Sequence, residues 1–440
     1  MGKKILILST GDVNGAYEAM YKVAHIMKNM GHEVVMCVKH KTKNEEFIKA
    51  YNHPTSTPVK QSLLTSVIHK VKTRLNIVKP KEVKKTISTD RKYSFFSKDE
   101  ITANINVDSL LKTAGFTPDF IFTGMTIDFL NSTDLLNIYN TTKAKIYNIT
   151  VDMNHFTGGC HFSWGCDGYI RGCDENCPAI IKEDEKVTAK NNFERKYENA
   201  KKAHFKIIAG SGLTLIQAQN SKIYKDQKTI HNINSLIDTT LLNDKNKSIA
   251  KQVFSLSDDC FYILTGAQNM EDPRKGFAYL IEALKLLDQE LSQELKEKIV
   301  LLVVSNTVNE EFDKVTFKKQ KIDYIKDYRL LSLLYQAADL FINSSVEDSG
   351  PMMVSEALAC GTPVVGFDTG VIMNMVIDDY NGYKAPMKDS RKLADGIKKI
   401  FKLDHDSYSI FSKNAVKQVE EFSSYEYASE IFSKILEQND

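Results

Sequence analysis

At 440 residues, with 42% hydrophobic and 26% charged side chains, the chain is too long for one core and suits two domains of about 200 residues each; the same composition excludes a disordered polymer. A formal net charge of +2 argues against a nucleic-acid partner, which needs a basic surface, and no apolar run reaches the roughly 20 residues of a membrane span. Met1-Gly2-Lys3-Lys4 leads straight into Ile5-Leu6-Ile7-Leu8, too short for a secretory leader, so a cytoplasmic protein is expected, and its seven cysteines read as thiols or metal ligands rather than disulfides.

In chain order, Ile5 to Leu8 reads as a strand and Ser9 to Gly15 as a polar loop. Ala16, Ala19, Val23, Ile26, Met27 and Met30 then form one face of a helix, stopped by Gly31 before a second strand, Glu33 to Val38. Gly11 and Gly15 lack the GxGxxG spacing of a dinucleotide fingerprint. Residues 60–92 carry ten basic against two acidic side chains, a local net of +8, with Leu64, Val67, Ile68, Val71, Leu75 and Val78 at helical spacing. Such a segment either lies on an anionic membrane surface or covers the first domain as a solvated basic face. Pro118 to Thr123 and Lys145 to Val151 read as buried strands. The second runs into Asp152, His155 and His161, an acid and two histidines at a strand's carboxyl end, which makes a candidate catalytic or acceptor loop. Cys160, Cys166, Cys173 and Cys177 fall in the same loop at gaps of five, six and three residues. They are either a structural zinc site or reduced thiols packing a loop; the irregular gaps, without a two-residue knuckle, favour the thiols.

Phe205 to Ala209 reads as the last strand of the first domain, and Ser211-Gly212-Leu213 opens a helix. Phe261 to Thr265 opens a second sheet. The loop after it ends in Arg274-Lys275-Gly276, and the stripe Phe277, Leu280, Ile281 and Leu284 follows at once, so two cations stand at a helix N-terminus. The helix macrodipole disfavours them there unless an anion binds at the same place. Ile299 to Val304 is another strand and Leu330 to Ala337 an amphipathic helix. Ala338 to Gly370 then parses as a βαβ unit: a strand over Asp339 to Ser344, a polar turn, a helix with Pro351 at its first position and Gly361 past its end, and a strand over Pro363 to Phe367. Asp348 and Glu356 fall at the carboxyl edge of those strands, where ligands bind in such units.

Asp348, seven residues, Glu356, then Ala-Leu-Ala-Cys-Gly-Thr-Pro-Val-Val resembles the signature of retaining GT-B glycosyltransferases of family 4, with aspartate where the family has glutamate. Thr157-Gly158-Gly159-Cys160-His161-Phe162 and the cysteines ending at Cys177-Pro178 resemble a subset of that family in bacterial surface-polysaccharide synthesis; Val151 stands where many relatives carry a histidine, and Val371 where a second glycine follows Gly370. The resemblance implies an α/β GT-B fold, two Rossmann-like parallel-sheet domains facing a cleft. Residues 1–232 would bind the acceptor, 233–420 the nucleotide-sugar, and 421–440 would form a helix crossing back to the first domain. It implies transfer of a hexose from a nucleotide-diphosphate sugar to a saccharide or lipid-linked saccharide. No cofactor beyond a structural zinc is implied, and the place is the cytoplasm or the inner face of the membrane. Asp152, His155, His161 and Asp348 are then the catalytic candidates, and Gly15, Arg274, Lys275, Asp348, Gly350, Met352, Met353, Val354 and Glu356 the donor-binding ones. Glu356 would hold the ribose hydroxyls and Asp348 the donor sugar. A nucleotide-sugar epimerase on the same fold and a noncatalytic scaffold subunit remain as alternatives.

Overall fold

The computed structural model describes residues 2–13, 15–52, 87–97, 99–305 and 310–437. Most of the basic segment 60–92 therefore lies outside the described residues. The rest forms two six-stranded sheets, each parallel throughout. The first contains β1 (Lys4–Gly11), β2 (Glu33–His40), β3 (Ile48–Ala50), β4 (Phe120–Thr123), β5 (Lys145–Ile149) and β6 (Lys206–Ile208) in the order β3-β2-β1-β4-β5-β6. The second contains β7 (Phe261–Ala267), β8 (Ile299–Ser305), β9 (Lys318–Ile322), β10 (Leu340–Asn343), β11 (Val364–Phe367) and β12 (Gly382–Ala385) in the order β12-β11-β10-β7-β8-β9. Counted from its own first strand, each half has the same doubly wound order. Its strand direction of progress reverses between β1 and β4 in one half and between β7 and β10 in the other, and ligands of such sheets sit beyond the strand ends at that point.

The sequence dictates this arrangement through apolar runs rather than alternation. Ile5, Leu6, Ile7 and Leu8 are all fully buried, as a central parallel strand covered by helices on both faces requires. One face of the first sheet packs with Met20, Val23 and Met27 of the helix Gly15–Asn29, the other with Leu110, Leu135 and Ile138. The second sheet has two cores of the same kind. Ile233 and Leu236 still belong to the first half's core, whereas Ile237 and Leu242 belong to the second's, so the chain changes domain after Leu236. It returns at the end: Ala428, Phe432 and Ile435 of the terminal helix Tyr425–Glu437 are buried in the first core, with the Phe432 ring edge-on to Phe122 at 5.7 Å.

Two details of the βαβ unit at 338–370 differ from expectation. Pro351 is the residue capping the helix Met352–Ala359, with extended backbone, and not its first helical residue. Val354 sits in the core beneath that helix and its N–H donates to the Pro351 carbonyl at 3.1 Å, so neither its side chain nor its amide is presented to a ligand. Val354 is therefore removed from the donor-binding set. The helix places it on the face turned to the sheet, as it must an apolar residue two positions before Glu356.

Candidate active site

The donor side is built where β7 and β10 end. The turn Pro273–Lys275 follows β7, and Gly276 links it to the helix Phe277–Glu290 with φ +62°. A side chain at Gly276 would place its Cβ 2.0 Å from the Ser344 carbonyl oxygen, so only glycine lets this turn press against the end of β10. Ser344 Oγ donates to the Lys275 carbonyl at 2.8 Å, and the N–H groups of Val346 and Glu347 donate to the Arg274 carbonyl at 2.8 and 3.3 Å. Clamped in this way, the Lys275 ammonium meets the Asp348 carboxylate at 2.6 Å. Asp348 is 12% exposed. Burial alone would raise its pKa, but the Lys275 charge, the Lys275 hydrogen bond and the Gly350 N–H outweigh it and hold the carboxyl below the usual range. Arg274 is also paired, with Asp272 at 2.5 Å, and its guanidinium lies over the Phe162 ring at 4.2 Å. The two cations before the helix are thus partly balanced by the protein's own carboxylates, which eases the dipole conflict without a bound anion.

Glu356, the fifth residue of its helix, is 4% exposed, and its Oε2 accepts a hydrogen bond from the Tyr335 hydroxyl at 2.8 Å. Burial raises its pKa, opposed by Lys22. Lys22 comes from the first half, where its ammonium donates to the Leu236 carbonyl at 2.9 Å; burial lowers its pKa and the Glu356 charge opposes that. Gly350 faces the Gly210 carbonyl across the cleft, and Met352 and Met353 supply the first two amides of the helix, which have no intrahelical acceptor. Gly15, at φ +46°, opens the helix after β1 at the switch point of the first sheet.

The acceptor side follows β5. The His161 ring Nδ1 and Asp152 Oδ2 are 2.6 Å apart, both buried. Burial would raise the Asp152 pKa, but the His161 charge and hydrogen bond and the Asn154 N–H lower it overall. His161 Nε2 is buried among the described residues without a hydrogen-bond partner, and the Phe96 ring stands edge-on to the imidazole at 5.1 Å. With Nδ1 engaged by Asp152, Nε2 is the ring nitrogen left without a protein partner among those residues. His155 differs: burial lowers its pKa to about 4, against the Asp152 charge, and the Gly124 carbonyl accepts from it. It is neutral at ordinary pH.

The cysteine loop joins the two sides. All seven cysteines of the chain are free thiols. Burial raises Cys160, Cys173 and Cys177, with the neighbouring thiols adding to it; Cys173 goes up to about 12 although the Gly158 N–H donates to its sulfur at 3.2 Å. Among the described residues, no group of three or more His, Cys, Asp or Glu side chains is arranged to hold a metal ion. What the loop does hold is the opposite half. Besides Phe162 under Arg274, the Ser163 N–H donates to Glu347 Oε1 at 3.1 Å; burial raises the Glu347 pKa, and the Ser163 and Trp164 N–H groups oppose it. Lys22 and Tyr335 were not legible as site residues in the sequence. Each acts through a partner more than 20 positions away, and no local spacing signals such a pair.

Two doubly wound parallel-sheet domains of this order make up the GT-B fold. Residues 269–418, within the second half, match the family described as glycosyl transferases group 1. Two curated relatives, both uncharacterized glycosyltransferases of Methanocaldococcus jannaschii, resemble this chain. One is 25% identical over 173 residues, covering 37% of this chain and 42% of its own, less than half its length. The other is 26% identical over 278 residues, covering 60% and 69%. Three solved structures share the whole fold. Sucrose-phosphate synthase from Thermosynechococcus elongatus has a TM-score of 0.64 at 14% identity, over 99% of this chain and 98% of that one. A glycosyltransferase from Rickettsia africae has 0.62 at 15%, over the full length of both. HepE from Anabaena, in complex with UDP and glucose, has 0.59 at 15%, over 99% of each. Among the described residues, no helix is long and apolar enough to cross a membrane.

Proposed function

We propose that the protein is a retaining glycosyltransferase of family 4 type, moving a hexose from a nucleotide-diphosphate sugar to a saccharide or lipid-linked saccharide in surface-polysaccharide synthesis. The observation that carries this reading is the Lys275–Asp348 pair, 2.6 Å long, set by the Gly276 turn at the switch point of the second sheet. As the glycosyl bond breaks, negative charge grows on the leaving diphosphate. Lys275, Arg274 and the first amides of the helix Met352–Ala359 then stabilise it electrostatically, without a metal. Asp348, released from Lys275 as the diphosphate takes the ammonium, is free to hold a sugar hydroxyl, and Glu356 holds the ribose. Across the cleft, Asp152 with His161 orients the acceptor hydroxyl, and His155 supports that loop. The Anabaena relative's complexes with UDP and with UDP-glucose support a nucleotide-sugar donor. The basic segment 60–92 would hold the enzyme on an anionic membrane face, which vesicle co-sedimentation tests: binding equal for neutral and anionic lipid, or indifferent to salt, removes that part.

Nucleotide release from a panel of nucleotide-sugars, with and without saccharide acceptors, tests the main reading. Release stimulated by acceptor, with the product's anomeric configuration retained, is expected. Release with a free epimerised sugar and no acceptor would make the protein an epimerase, and no binding of any donor by calorimetry would make it a scaffold subunit.

A further inference from the structure

A groove of about 890 Å³ runs along the outer flank of the helix Phe277–Glu290, and its rim is closed by a residue of the other half, Trp164. This is the only tryptophan in the sequence. Its backbone lies in the left-handed region at φ +48°, which a bulky side chain rarely adopts, and the indole Nε1–H donates to the Lys92 carbonyl at 2.8 Å. Strain of this kind persists only where the surroundings over-determine it, and it concentrates at ligand sites. Here it turns the ring across the cleft, so that Trp164 packs both on the core of the second domain and on the small cluster around Tyr93 and Phe95.

The remaining walls say what would bind. Tyr279 and Ile281 give an apolar floor, and Glu271 and Glu282 stand exposed at its edge, with Ser390 Oγ donating to Glu282 at 2.8 Å. An indole face beside carboxylates suits a pyranose, whose ring C–H groups lie on the aromatic and whose hydroxyls donate to the carboxylates. Of the four lining carboxylates Asp272 is paired with Arg274 and Glu311 with Lys285, which leaves Glu271 and Glu282 against Lys388 and makes an anion the less favoured ligand. The groove also abuts the proposed transfer point: Asp272, Pro273 and Gly276 form its inner wall, and the same turn carries Arg274 and Lys275 into the cleft.

We propose that this groove is a saccharide subsite, holding the neutral sugars of the acceptor that lie beyond the reacting unit. Calling the saccharide an acceptor rests on the glycosyltransferase reading; binding of the saccharide does not. Because Trp164 is the single tryptophan, its emission reports on the groove directly. The full-length protein is titrated with maltotriose and with N,N′,N″-triacetylchitotriose, and separately with UDP. A saturable change in emission with at least one trisaccharide is expected, at millimolar affinity, and Glu271→Gln and Glu282→Gln together should weaken it roughly tenfold with unchanged melting temperature. No change with either trisaccharide overturns the proposal. So does a response left intact by the double variant, or one given by UDP alone, which would make Trp164 a reporter of domain movement. Calorimetry with UDP-sugars on the same preparation keeps the two readings apart: a protein that binds no donor loses its transferase assignment while the tryptophan titration still decides the groove.

Discussion

Glu356 is the residue at which sequence and geometry exert the most opposed demands. A carboxylate that holds two ribose hydroxyls must be charged, yet burial pushes this one toward its neutral form, and only Lys22 and the Tyr335 hydroxyl oppose that. Each charge-assisted bond to the ribose is worth about 1.5–3 kcal/mol, so Glu356→Gln is expected to raise the donor KM by one to two orders of magnitude. Asp348→Asn should lower kcat as well, since its partner in the complex is the reacting sugar. The melting temperature must be followed alongside, because Glu356→Gln strips Lys22 of its counter-charge; Tyr335→Phe, which keeps the carboxylate, separates the two effects. Unchanged donor kinetics in Glu356→Gln would end the assignment of this motif to the nucleotide. His155 gives a second prediction at this scale. Its folded pKa of about 4 lies below its ordinary 6.5, so the unfolded chain takes up a proton first as pH falls. Stability is therefore lost between about pH 6.5 and about 4 and levels off below. His155→Gln, which can still donate to the Gly124 carbonyl, should show a shallower loss. Urea midpoints at pH 7 and pH 5 measure it, and equal drops in parent and variant would refute it.

At the scale of elements, the helix Met352–Ala359 and the cysteine loop show what a sequence does and does not make visible. The helix was legible because its signals are local: a proline before it, a glycine at φ +69° after it, apolar residues between. Even so, the proline's position was displaced by one and Val354 was misassigned, since periodicity gives a helix but not which of its faces meets the sheet. Strands such as β1 and β7 were legible for the same reason, as continuous apolar runs. The loop at 160–177 was visible as a cluster of thiols, and its work was not. Its contacts to Arg274 and Glu347 span more than 100 positions, and only the strand order that brings β5 and β10 to one cleft creates them. The gaps between its cysteines lack a two-residue knuckle, and among the described residues no three ligands are arranged around a metal, so seven thiols titratable in denaturant and no stoichiometric metal are expected on elemental analysis. About one zinc per chain, lost on Cys173→Ser, would instead mean that the loop closes around a metal.

For the whole molecule, the decisive feature is that the chain crosses between domains twice and at one place. The outgoing crossing at Ile237 and the returning one at Ser423 lie side by side, with the Ile237 N–H donating to the Ser423 carbonyl at 2.9 Å and the Asn234 side chain to the Phe422 carbonyl at 2.7 Å. Two adjacent crossings of the chain therefore tie the halves together at a single place. The return also makes the first domain depend on the last residues of the sequence. Phe432, fully buried against Phe122, contributes to the core beneath β1 and β4 although it is more than 300 positions from β4 and more than 400 from β1 in sequence. Phe432→Ala is expected to cost about 3–5 kcal/mol, as a phenylalanine deleted from a packed core does. The loss should be confined to the first domain: hydrogen exchange should accelerate over Ile5 to Leu8 and Phe120 to Thr123, and stay unchanged over β7 and β10. Acceleration in the second domain alone, or none in the first, would show that the terminal helix merely lies on the surface it covers. Acceleration in both by the same factor would show that the two domains unfold as one unit, with the crossings too tightly bonded to let either open alone.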